Sequence, residues 1–198
     1  LLQAYEAFKQ APVGTPPDLP FQYFSALSLD TAQWSALARN ASWQQVRMNL
    51  NTLARHGVFG DEGMVQAVAA TLRDPAQIRR ARVLPYQLMM AYHAASDLPL
   101  PILEALQDAM EVATASVPVL QGRVVVAVDV SGSMQSPGTG YRQGATSAAR
   151  CVDVAALIAA CVLRGQPQAQ VLPFDTEVRH IRVNPRDSVM TLARQLAI

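Results

Sequence analysis

Asp129, Ser131 and Ser133 are the residues of this 198-residue chain whose types and spacing are best suited to chemistry. They stand at alternate positions directly after an unbroken apolar run, in "RVVVAVDVSGSM" (123–134). A carboxylate at the tip of a buried strand is costly unless something binds it. An oxygen-only D-x-S-x-S set is hard. It suits Mg2+ first, with Ca2+ or Mn2+ as alternatives, and not zinc. Two neutral hydroxyls leave such a cation electrophilic, so it would take an outside carboxylate or phosphate as its last ligand. Gly132 lets the loop turn tightly between the serines. The competing reading is that Asp129 and the serines merely cap the following helix. Serine catalysis has no support: neither serine lies in G-x-S-x-G and no His/Asp partner order is present. We therefore expect no catalytic residues and no enzyme.

Such a loop needs a strand before it and a helix after it, and residues 118–198 supply both. "RVVVAVDV" reads as a strand buried on both faces of a parallel sheet. "GATSAARCVDVAALIAACVLRG" (144–165) reads as a long helix, and "QAQVLPFD" as a second buried strand. "EVRHIRVN" (177–184) reads as a third, more exposed strand, and "PRDSVMTLARQLAI" as a helix from Pro185. Together these predict an open α/β sheet with helices on both faces, binding its ligand at the carboxyl end of the first strand.

Residues 1–117 have a helical rhythm throughout. A Pro-rich break, "APVGTPPDLP" (11–20), follows the first helix. Asp30 or Thr31 caps the next. Ser42 and Gln45 form a capping-box pair that opens a helix through to Gly57, with Val46, Leu50 and Leu53 on one face. A helix over 62–72 follows. Asp74-Pro75 is a cap followed by Pro at the first helical position, opening "AQIRRARVL". Pro85 restarts the chain, and "LPILEALQDAMEVATAS" closes the series. Short Pro-started helices with brief connections predict a stack of helical hairpins of the solenoid, HEAT-like kind. The linker "VPVLQG" is too short for independent tumbling, so the halves should pack together.

Composition sets bounds on this picture. The chain is 51% hydrophobic and 16% charged with a net charge of +1, which describes a folded domain. No apolar run is long enough to span a bilayer, and neither a signal peptide nor an initiator Met is present, as expected of a fragment or processed chain. Lys9 is the sole lysine; the remaining positive charge is arginine. Cys151 and Cys161 fall ~15 Å apart along one predicted helix, too far for a disulfide. They read as core residues of a reducing compartment.

"VVVAVDVSGSM" resembles the first strand and metal-ion-dependent adhesion site of a von Willebrand factor A domain. With "VRMNLNTLARHGVF", "IRRARVLPYQLMMAYHAA" and "EALQDAMEVA" preceding it, the chain resembles the Ro RNA-binding autoantigen family, in its bacterial Ro-like form. The resemblance implies that 1–117 is the end of a helical-repeat TROVE domain and 118–198 the start of an A domain that closes its ring. It implies binding of small noncoding Y-like RNA and of misfolded RNA 3′ ends in the cytoplasm. An exoribonuclease partner, RNA quality control, and no membrane or DNA partner go with it. It also implies further metal-site residues beyond Ile198, so that Asp129, Ser131 and Ser133 are three of five ligand positions.

For RNA contact the sequence offers two arginine clusters, Arg39, Arg47 and Arg55, then Arg79, Arg80 and Arg82 beside Arg73. Phosphate recognition uses such side chains, and aromatic stacking adds single-strand affinity. Trp34, Trp43 and Tyr86 lie nearby, but their spacing fits core positions. The ordinary alternative for the arginines is a solvated face or ion pairs with Asp61, Glu62 or Asp74. The residues through 120 hold eight basic against ten acidic groups, so any RNA surface is a local patch. The alternative function is a metal-dependent protein-binding A-domain module, for which the segments at 46–59 and 78–95 have no evident use.

Overall fold

The structure is a computed structural model that describes residues 2–138 and 149–198. Its amino-terminal part is eight helices. Helix α1 (Leu2–Gln10) buries Phe8, whose ring meets Phe24 edge-on beyond the Pro-rich stretch. Helix α2 (Thr31–Asn40) starts where Asp30 and Gln33 cap each other reciprocally: Gln33 N donates to Asp30 Oδ1 (2.8 Å) and Asp30 N to Gln33 Oε1 (3.0 Å). Helix α3 (Trp43–Met48) opens with the Ser42–Gln45 capping box, and α4 (Leu50–Arg55) ends at Gly57, which adopts φ +75°. Helices α5 (Glu62–Arg73) and α6 (Pro75–Ala81) are capped by Asp61 and Asp74. The series ends with α7 (Pro85–Ala94) and α8 (Leu100–Thr114).

The remainder is β1 (Val125–Asp129), α9 (Cys151–Gly165), β2 (Gln170–Phe174) and α10 (Val189–Leu196). The two strands are parallel and in register from Val125↔Gln170 to Asp129↔Phe174. Helix α9 covers the sheet with one side and packs on α10, α7 and α8 with the other. One continuous hydrophobic cluster therefore runs from Phe8 to Leu196 and includes fully buried Ile102, Leu106 and Leu157. One polar clamp joins the halves, and a second fixes the linker. The Glu111 carboxylate of α8 accepts a hydrogen bond from Val189 N at the start of α10 (2.6 Å) and pairs with Arg164 of α9 (3.3 Å). Buried Gln166 donates to and accepts from the Leu120 main chain (2.6 and 2.9 Å), which pins the linker.

Several sequence expectations are corrected. The helix expected from Ser42 to Gly57 is interrupted at Asn49, whose side chain donates to Gln45 O (2.8 Å) and competes with the helical ladder. Val46, Leu50 and Leu53 are still buried together. The helix expected over 144–165 begins at Cys151. Ala149 and Cys151 bond to the loop before the helix instead, through Gly138 N to Ala149 O and Cys151 N to Ser136 O; residues 144–148 lie outside the described residues. No strand forms over 177–184. Beyond the bridge Phe174↔Val178, Arg179 N to Pro173 O is the last ladder bond, and Pro173 has no N–H to return. The last helix starts at Val189, not Pro185, because Ser188 supplies the cap and 184–187 form a turn.

Strand β1 is not buried on both faces. Val126 and Val128 face α9, while Val125 (58% exposed) and Ala127 face outward, because among the described residues helices cover one face of the sheet.

Candidate metal centre and nucleic-acid surface

Strand β1 ends at half-buried Asp129, and the chain turns through Ser131 into a 3-10 turn over Gly132–Gln135. Ser131 N donates to Asp129 Oδ1 (2.9 Å), and the Ser131 and Ser133 hydroxyl oxygens lie 3.1 Å apart. Hydrogen bonds from the Ser131 side chain and then its amide hold the Asp129 carboxyl below the ordinary carboxylate range. Desolvation and the nearby Asp175 carboxylate oppose this without prevailing. Asp129 is thus ionised and fixed in the loop by Ser131, whose hydroxyl has that of Ser133 beside it. Neighbouring ligands of an octahedral ion with bonds of about 2.1 Å lie ~3 Å apart, so the serine spacing fits a small hard cation. Among the described residues no group of three His, Cys, Asp or Glu side chains converges as a metal cluster. A cation here would rest on one carboxylate and two hydroxyls.

Sequence reasoning missed the groups that hold this loop. Arg150 Nη1 donates to Gln135 Oε1 (2.6 Å), while its Nε and Nη2 chelate Asp153 (3.1 and 2.7 Å). Asp153 also accepts from Arg150 N (2.8 Å) and starts α9. The R-x-x-D spacing ahead of an apolar run was the available signal, masked by the expected helix over 144–165. Asp175, just past β2, is paired with Arg179.

The arginines of the first cluster are spread over three helix ends. Arg39, Arg47 and Arg55 each sit in the last turn of a separate helix, where a cation meets the negative end of the dipole. Arg47 is half-buried. It donates to Gln87 O on α7 (3.1 Å) and Gln44 Oε1 (3.3 Å), and burial lowers its guanidinium pKa. Asn51 likewise donates to Ala94 O (2.8 Å), so this stripe stitches α3 and α4 to α7. His56 stacks on buried Trp34 at 4.3 Å, and Trp43 Nε1 donates to Leu72 O (3.0 Å). Neither tryptophan is available for base stacking. Arg73 pairs with Asp108 (3.4 Å). Arg79, Arg80 and Arg82 are all exposed and, like Arg39 and Arg55, make no ion pair or side-chain hydrogen bond among the described residues.

Residues 123–197 match the family described as the Ro60 vWA domain. The chain is 31% identical over 154 residues to the RNA-binding protein RO60 of Deinococcus radiodurans, across 71% of this chain and 28% of the relative. It shares its fold with the crystal structure of the Deinococcus radiodurans RO (RSR) protein. That likeness has a TM-score of 0.74 at 24% identity and covers 98% of this chain and 40% of the other. The chain thus spans less than half the length of either protein. Residues 123–197 thus match the Ro60 vWA domain family, and the chain as a whole is similar to part of the RO60 protein.

Proposed function

We propose that this chain is part of an RNA-binding protein without enzymatic activity. The observation that carries the reading is that likeness to the RNA-binding protein RO60 extends over 71% of the chain. That is more than the matched domain at 123–197 alone could supply. In this reading residues 1–117 are the end of a TROVE-like helical repeat domain. Residues 118–198 begin the A domain clamped onto it by Glu111. The RNAs are small Y-like noncoding RNAs and the 3′ ends of misfolded RNAs. The protein scaffolds RNA quality control in the cytoplasm with an exoribonuclease as partner. Asp129, Ser131 and Ser133 would hold a divalent cation, Mg2+ in the first place. When bound, that ion offers an electrophilic point for an outside acidic group. The residues themselves keep the carboxylate ionised and the two hydroxyls adjacent.

A gel-shift titration of the chain with a structured small RNA bearing a single-stranded 3′ tail tests the reading. Retardation that weakens steeply with added salt is expected, because phosphate neutralisation releases counterions. No retardation at low salt with correctly folded chain would refute it.

A further inference from the structure

We propose that the turn closing α6 is the phosphate-binding contact of this chain, with Arg79, Arg80 and Arg82 gripping the backbone of an RNA strand. The inference rests on the RNA-binding reading and gives it a place.

The turn is anchored on both sides. Ile78 and Val83 are 1% and 3% exposed, and Pro85 begins the next helix. Between the anchors, Arg79, Arg80 and Arg82 are turned out to solvent, and no carboxylate neutralises them among the described residues. The exposed apolar side chain of Leu84 (58%), two residues after Arg82, would let a sugar or base lie against the patch.

A helix dipole accounts for cations in the last turn, as with Arg39 and Arg55. It favours a cation at Arg79, Arg80 and the cap residue Arg82 alike, but it does not account for the left-handed backbone of Arg82 (φ 49°, ψ 38°), whose amide is bonded to Arg79 O (3.2 Å). Among the described residues it is the sole non-glycine with positive φ; Gly14, Gly57 and Gly122 fill the other such positions. Glycine is the low-strain choice at a helix end of this kind. An arginine kept there, with its side chain bonded to nothing in the fold, points to a use outside the fold. Arginine is also the side chain whose planar fork matches phosphate oxygens two at a time.

The test is fluorescence anisotropy of a fluorescein-labelled unstructured RNA oligonucleotide titrated with the whole chain over a series of salt concentrations. It compares the natural chain with Arg82→Gly, with the triple variant Arg79→Gln/Arg80→Gln/Arg82→Gly, and with Arg39→Gln/Arg55→Gln. Each lost phosphate contact lowers the slope of log affinity against log salt by about 0.7–0.9. The triple variant should lose roughly 2–3 units of slope and bind on the order of tenfold more weakly at low salt. Arg82→Gly alone should lose about one unit and melt no lower than the natural chain. Arg39→Gln/Arg55→Gln should keep the natural slope. If the natural chain binds and the triple variant binds with the same affinity and slope, the contact lies elsewhere. The inference then falls while the RNA reading stands. A lower melting temperature for Arg82→Gly would also overturn it, by giving the arginine a folding role. If the natural chain shows no binding at low salt, both readings fall together.

Discussion

Asp129 tests the metal loop most directly, because its two possible roles separate under substitution. As a cation ligand it creates a stabilisation that exists only when the cation is added. A ligand that binds the folded state alone stabilises by about 2.7 kcal/mol at a hundredfold excess over Kd. As a loop cap it would contribute through its bond from Ser131 N whether or not cation is present. In the full-length protein, which would supply the remaining ligand positions, we expect Mg2+ or Mn2+ to raise the melting temperature and to leave that of Asp129→Ala unchanged. An equal rise in both would leave Asp129 as a cap. The D-x-S-x-S set was legible in the sequence because strand end, loop and donors are all local. The role of Arg47 was not. Its partner, Gln87 O, lies forty residues away on α7, and a regular spacing of arginines looks the same whether they line a groove or end successive helices.

At the scale of elements, the caps were the most legible features, because a cap is complete within four residues. The Ser42–Gln45 box, Asp74 ahead of Pro75 and left-handed Gly57 all stand where the sequence placed them. The third strand failed because a ladder depends on what its neighbour offers. Pro173, read as part of a good strand, removes a donor from the edge that "EVRHIRVN" would have paired with. Asp74 lends itself to measurement. Its carboxyl is held below the ordinary range, first by the hydrogen bond from the Gln77 side chain (2.9 Å) and then by the Ala76 amide (2.9 Å). A depressed folded-state pKa gives stability that is present above the unfolded value, about 3.9, and is lost as pH falls through the folded one. Asp74→Asn should keep the cap near neutral pH and flatten the loss of stability on acidification below about pH 4. Asp74→Ala should already lower stability at neutral pH by removing the cap. Chemical denaturation at a series of pH values checks both; identical acid limbs for Asp74→Asn and the natural chain would contradict the assignment.

At the scale of the molecule, the question is whether the two halves fold as one body, and the polar clamps at their junction make this answerable. Glu111 reaches from α8 to the first amide of α10 and to Arg164 of α9. Gln166 is 4% exposed and spends its amide on both main-chain groups of Leu120. Removing Glu111 strands the buried Val189 amide, which costs about 1–3 kcal/mol, and removing Gln166 frees the linker main chain at Leu120. Neither residue was singled out in the sequence, since a glutamate on a helix and a glutamine after one carry no sign of partners 46 or 78 residues distant. Both tryptophans, Trp34 and Trp43, lie in the helical half and none lies in the α/β half. Fluorescence therefore follows the helices alone, while far-UV circular dichroism follows both halves. Because one apolar cluster crosses the junction, the two signals should give coincident denaturation midpoints in the natural chain. In Glu111→Ala/Gln166→Ala the α/β half, whose sheet is covered on one face among the described residues, should melt first, so that the dichroism transition begins at lower denaturant than the fluorescence transition. Separate midpoints already in the natural chain would mean that the junction transmits no stability. The A domain would then be a neighbour of the helical stack and not its closure.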